Sequence, residues 1–205
     1  MSDASMRSPS VSSEAPHLWD SPTGRSIVNR VVQERTSWEK LRPGQEEPIL
    51  RILDGKPTVV CTATSSGKSA LFTVPIMVQQ EISKAPEDFP EMRGVRPKAV
   101  GIVITPTKGL ARNIADSLCK QGVRALAYDR ETIAHAARER IDLTSLISSC
   151  EHYDVICVDP EHLGSKDWIK ILESPIFCAN LSFVCVGHGW RWVMAGAEAW
   201  ACPVQ

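Results

Sequence analysis

No stretch of this 205-residue chain approaches the roughly 18 consecutive apolar residues that cross a bilayer, so no membrane span is expected. The opening residues MSDASMRSPSVSSEAP lack the apolar core of a secretory signal. Charge of neither sign dominates: the net charge is −1, so any nucleic-acid site must be a local patch rather than a property of the whole surface. The seven cysteines contain no CxxC pair. Several sit in apolar runs (VVCT, VICV, FVCV), where cysteine behaves as a small hydrophobe, so reduced thiols of an intracellular protein are expected. His135, His152, His162 and His188 are scattered without ligand spacing, and no structural metal is expected. Glycine is scarce where it would matter most. The segment CTATSSGKSALF, residues 61–72, ends like a phosphate-binding loop but holds a single glycine.

What is present is the profile of a soluble globular protein, 43% hydrophobic and 23% charged, long enough for one domain with a real core. Residues 1 to about 24, rich in Ser and Pro, read as a disordered tail. A helix is expected over SIVNRVVQERTSWEKL, and another from about Gln45 to a stop at Gly55, with Pro48 in its first turn. Then apolar runs and helical segments alternate. The expected strands are PTVVCTA, KAVGIVIT, VRALAY, YDVICVD and LSFVCV. The intervening helices include ETIAHAARERIDLTSLISS as one piece. Strands of continuous apolar content alternating with helices predict an α/β fold, a mostly parallel sheet covered on both faces. The polar segment SKAPEDFPEMRGVRPK reads as a solvated loop, with Arg93, Arg96 and Lys98 as possible aids to a nucleic-acid backbone. The final stretch GHGWRWVMAGAEAWACPVQ has no clear period. Its Trp190 and Trp192 could stack bases, cover a sheet edge or stay exposed.

The pattern GxxxxGK[ST] falls on residues 62–69, with Thr62 in place of the first glycine. An apolar strand delivers the chain, Gly67 lets the backbone turn close to a phosphate, and the following helix offers its N-terminal dipole. Lys68 can reach the β and γ phosphates and the Ser69 hydroxyl can ligate magnesium. An ordinary strand–turn–helix junction could also read SGKS. The strand before it and the helix after it favour the nucleotide site.

A second segment sharpens this reading. LRPGQEEPIL precedes the loop, and Gln45 lies 23 residues before Lys68. The pair resembles the superfamily 2 (DEAD/DEAH-type) helicases, in particular the RecQ-like branch, where an FRPGQ segment precedes a PTGSGKS loop. The resemblance implies a RecA-like three-layer sandwich that binds ATP and Mg2+. Gln45 would bond the adenine edge with Arg42 nearby, and Thr64, Ser65, Ser66, Gly67, Lys68 and Ser69 would cradle the phosphates. The family's aromatic at the first position is Leu41 here, and Ser65 replaces a glycine. VITPTKGLARNIADSL resembles motif Ia through Thr105, Pro106, Thr107 and Lys108. VICVDPEHL resembles motif Ib through Pro160, Glu161 and Leu163. Both would grip a nucleic-acid backbone. The resemblance spans about Ser37 to Val186.

The same resemblance exposes a gap. A DEAH-type motif II should follow the strand LSFVCV, with its Asp positioning magnesium and its Glu orienting the attacking water. The strand instead runs into GHGWRW, and no acidic residue follows before Glu198. GHGWR is similar to the segment that follows motif II in the RecQ-like proteins, so motif II is expected to be missing. VDPEH could itself be a distorted acidic motif, with Asp159 on the metal side and Glu161 as base. Only 19 residues follow Val186, too few for the second lobe that supplies arginine fingers. The domain reading is a tail over 1–24, a RecA-like lobe over 25–186 and an atypical segment over 187–205. The expected role is the ATP- and DNA-binding lobe of a 3′-to-5′ DNA helicase, unable to turn over alone, or a non-catalytic relic of that family. The implied partner is single-stranded or junction DNA, held weakly. No oligomer is expected, and the implied location is nuclear.

Overall fold

The computed structural model describes residues 19–61, 67–89, 92, 95–188 and 191–196. Helix α1 (Pro22–Arg35) starts earlier than the sequence suggests. Ser21 caps it by accepting from Gly24 N at 3.1 Å, and Pro22 occupies the first turn, where its missing N–H costs nothing. Trp19 is buried and its backbone N–H donates to Asp54 Oδ1 at 3.0 Å. The large apolar area of that indole ties residues 19–24 to the lobe, which corrects the expected tail boundary.

Helix α2 (Glu46–Leu53) carries Glu46 and Glu47 in its first turn, favourable to the helix dipole, and the chain leaves it through Gly55 at φ +75°. Strand β1 (Thr58–Cys61) leads toward the phosphate loop, and α3 (Ala70–Lys84) follows it. Then come β2 (Val100–Ile104), α4 (Leu110–Cys119) and β3 (Ala125–Tyr128). The single helix expected after β3 is two, α5 (Arg130–Glu139) and α6 (Leu143–Ser148). Arg140 adopts φ +57°, and Asp142 starts the second helix by accepting from Ser145 N at 3.0 Å. The remainder is β4 (Val155–Val158), α7 (Lys166–Glu173), the unforeseen short α8 (Pro175–Asn180), β5 (Leu181–His188) and β6 (Arg191–Gly196).

The six strands form one sheet in the order β1-β6-β5-β2-β4-β3. β5, β2, β4 and β3 are parallel neighbours, and β6 is antiparallel to both β1 and β5. The steps from β1 to β2 to β3 run one way along the sheet, and those from β3 to β4 to β5 run back. Right-handed crossovers therefore put the helices of the outward steps on one face of the sheet and those of the return steps on the other. One core gathers Val28, Ile49, Val74, Ile76 and Leu118 from α1–α4. The other gathers Ile147, Trp168, Ile171 and Phe177 from α6–α8. The mostly parallel α/β sandwich expected from the alternation is the observed architecture.

Strand β6 is the element the sequence did not announce. It lies between the phosphate-loop strand and β5, where only residues 189 and 190 separate it from β5. Its residues alternate: Trp192 and Met194 point into the first core, while Val193 lies outward opposite Val59 of β1. Trp192 is 6% exposed and packs edge-on against Phe72 of α3, with ring centroids 5.4 Å apart. It therefore does not offer its ring to bases, and Trp190 lies outside the described residues. Among the described cysteines, Cys61, Cys119, Cys150, Cys157 and Cys185 are free thiols.

Candidate nucleotide and nucleic-acid sites

Residues 62–66 lie outside the described residues, so Thr64, Ser65 and Ser66 have no described placement. The rest of the loop forms the turn that opens α3. Gly67 adopts φ +73°, a conformation open to glycine and strained for other residues. Its carbonyl accepts from Ala70 N at 3.1 Å, that of Lys68 from Leu71 N at 3.0 Å and that of Ser69 from Thr73 N at 2.9 Å. Partial burial holds the Lys68 ammonium below the usual lysine range.

Gln45 is buried and joins the two segments that the sequence assigned to adenine and phosphate. Its Nε2 donates to Gly67 O at 2.9 Å, and its Oε1 accepts from Arg42 N at 2.8 Å. A Cβ on Gly67 would lie 3.0 Å from Gln45 Nε2, so the close approach also selects glycine. Beside this junction is a cavity of about 550 Å³ lined by Trp38, Leu41, Arg42, Pro43, Gln45 and Gly67. Sequence reasoning missed Trp38. It sits three residues before Leu41, and an aromatic so near the glutamine segment is the signal that could have found it. A second cavity of about 420 Å³ shares Arg42, Gly67 and Ser69 with the first and adds Lys68, Asn113 and Trp192.

These features fit a nucleotide: a cavity of ligand size, a glycine-only turn, a partly buried cation and a helix N-terminus. The fit to magnesium rests on the Ser69 hydroxyl. Among the described residues no cluster of three or more His, Cys, Asp or Glu could hold a metal by itself.

The residues expected to meet nucleic acid come together at the carboxyl ends of β2 and β4. Thr105 is buried, and its hydroxyl lies 3.1 Å from Asp159 Oδ1 and 3.2 Å from the carbonyls of Thr107 and Val158. Asp159 Oδ2 accepts from Gly109 N at 3.1 Å, and Gly109, at φ +77°, caps α4. Asp159 thus holds both ends of the Thr105–Gly109 turn. Lys108 forms an ion pair with Glu161. That pairing is the chief reason the Glu161 carboxyl titrates below the usual range. Pro160 opens the single helical turn that carries Glu161.

Asp159 and Glu161 are not brought to the phosphate loop. Asp159 directly follows β4, which stands four places from β1, a lateral separation of roughly 19 Å at about 4.8 Å per strand. Asp159 is committed to the motif Ia turn and Glu161 to Lys108, so the reading of this pair as a substitute for motif II is corrected. Arg93 lies outside the described residues. Lys98 precedes β2, at the opposite end of that strand from Thr105, and pairs with Glu151 at 2.7 Å. It takes no part in the interface.

The profile of the DEAD/DEAH box helicase family matches residues 42–184. The chain is 32% identical over 124 residues to "ATP-dependent RNA helicase ROK1" of Eremothecium gossypii, covering 59% of this chain and 20% of that protein. It is 33% identical over 109 residues to "ATP-dependent RNA helicase glh-3" of Caenorhabditis elegans, covering 53% of this chain and 14% of that protein. The chain thus spans a fifth or less of the length of either relative.

Proposed function

Because this chain belongs to the DEAD/DEAH box helicase family, we propose that it is an ATP-binding and nucleic-acid-binding helicase lobe that does not turn ATP over by itself. The observation that carries the reading is the Gln45 amide, which bridges Arg42 N and Gly67 O and so joins the adenine-side segment to the phosphate turn. Adenine would lie in the cavity beside Trp38 and Gln45, with the phosphates directed toward Lys68 and the N-terminus of α3. Lys68 would neutralise phosphate charge and Ser69 would offer its hydroxyl to magnesium. Bound Mg2+ supplies charge neutralisation on the phosphate oxygens.

The absence of turnover is supported by the course of the chain after β5. That strand stands two places from β1, where an acidic turn could face the phosphates, and it passes within two residues into β6. Trp192, not a carboxylate, lines the Lys68 cavity from that side.

The nucleic acid we propose is single-stranded RNA, because both relatives are named as RNA helicases. The RecQ-like, DNA-unwinding form of the reading rests on Leu41–Gln45, residues 64–69 and the GHGWR segment. The first two serve an ATP site under either substrate. The backbone would meet Thr105, Thr107 and Lys108, where hydroxyls, the amino end of α4 and a cation converge.

Calorimetry with ATP, with and without Mg2+, on the wild type and Lys68→Ala tests the nucleotide site. Loss of one charge-assisted contact should weaken binding by about 10- to 100-fold. Equal affinity of the two proteins would refute the site. Competition between oligo(U) and oligo(dT) decides RNA against DNA.

A further inference from the structure

We infer that Glu161 occupies, in the unbound lobe, the place at Lys108 that a nucleic-acid phosphate takes on binding, so that it acts as an internal competitor setting the affinity of this face. The inference rests on the nucleic-acid role proposed above. Lys108 projects from the turn between β2 and α4 and is three-quarters exposed, yet its ammonium is not offered to solvent alone: it pairs with the Glu161 carboxylate from the turn after β4. A carboxylate and a phosphate oxygen are chemically alike to an ammonium, both being anionic acceptors. The two ends of this pair are not free to drift apart. Asp159, two residues before Glu161, is hydrogen-bonded to Thr105 and Gly109 on either side of Lys108, so the acid and the cation are presented to each other by a built scaffold.

The charges of His162 and Arg130 also act on the carboxylate, each more weakly than Lys108 does. The nearby His162 Nε2 is buried, has no hydrogen-bond partner among the described atoms and lies 3.6 Å from Glu161 Oε1, beyond hydrogen-bond length. The Glu161 side chain is about one-third exposed, so it can swing away when a phosphate arrives. Even displaced, its charge remains near the incoming phosphate and opposes it. A unit charge at about 6 Å in a watery setting changes affinity by roughly threefold, and by more where water is excluded.

The test is binding of fluorescein-labelled oligo(U) by anisotropy across about 50–200 mM salt. Wild type, Glu161→Gln, Lys108→Ala and the double variant are compared. Glu161→Gln keeps the size and polarity of the side chain and removes only the competitor. It should tighten binding about three- to tenfold and steepen the fall of log K with log salt by about 0.7, one more phosphate neutralised. Lys108→Ala should flatten the slope, and in that background Glu161→Gln should have less effect. Wild-type binding that is unchanged in affinity and slope by Glu161→Gln overturns the inference while leaving the nucleic-acid role standing. Absence of binding by every variant overturns both.

Discussion

Replacing Trp192 by alanine tests whether β6 is a structural strand of the sheet or a dispensable flap. The indole is 6% exposed and sits edge-on to Phe72 at 5.4 Å. It also covers Gly187 of β5 so closely that a Cβ there would come within 2.8 Å of the ring. Truncating a buried tryptophan costs about 3–5 kcal/mol, of which the aromatic pair itself supplies about 0.5–1.5. For a domain of this size that loss lowers Tm by roughly 6–20 °C. Total stability is only about 5–15 kcal/mol, so part of the chain could unfold at room temperature. The matched control is the next residue. Val193 faces outward and is 45% exposed, so Val193→Ala should change stability by no more than about 0.5 kcal/mol. Urea and thermal unfolding followed by circular dichroism measure both. Near-equal effects of the two substitutions, or a Trp192→Ala cost below about 1 kcal/mol, would refute the placement of β6 between β1 and β5.

Three further outcomes are expected. A Cβ on Gly101 of β2 would overlap the ring of Phe183, so Gly101→Ala should destabilise by about 3 kcal/mol or abolish soluble expression. Adding Phe183→Leu should recover part of the loss, and no recovery would mean that the ring is not the obstacle. Asp159→Ala leaves the buried Thr105 hydroxyl without its carboxylate and should cost about 1–3 kcal/mol in urea unfolding. ATP affinity should be unchanged, and a large loss of it would return Asp159 to the nucleotide site. Burial pushes the Cys157 and Cys185 thiols up and that of Cys150 to about 11. Iodoacetamide should therefore modify exposed Cys61 and Cys119 in the folded protein and reach the other three only on unfolding. The neutral-thiol preference is fully present below about pH 8.5, where unfolded cysteine begins to ionise, and is lost as pH rises toward 11. Urea midpoints should fall across that window. Alkylation of all five thiols at one rate would contradict the burial.

The alternation of apolar runs with helical segments was enough, unaided, to determine five strands, a mostly parallel sheet and helices on both faces, because continuous β-branched content suits a strand buried on both sides. Local signals also located the α2 stop at Gly55 and the turn at Gly67, where backbone geometry restricts the residue type. The spacing of Gln45 and Lys68 was legible, but not that the Gln45 amide would reach across to Gly67 O, since that contact depends on how α2 docks on the sheet. Trp38 was missed for the same reason. β6 escaped because its six residues, one edge of a hairpin, have no long period. It becomes a strand only when β1 and β5 offer it unpaired backbone on both sides. Asp159 and Glu161 show the limit most sharply. As letters they also admit a reading as catalytic acids, beside the motif Ib reading that the sequence favours. Strand order alone carries them four places from the phosphate turn and commits them to Thr105, Gly109 and Lys108, because the position of a strand in a sheet is decided by long-range pairing, which no local segment encodes.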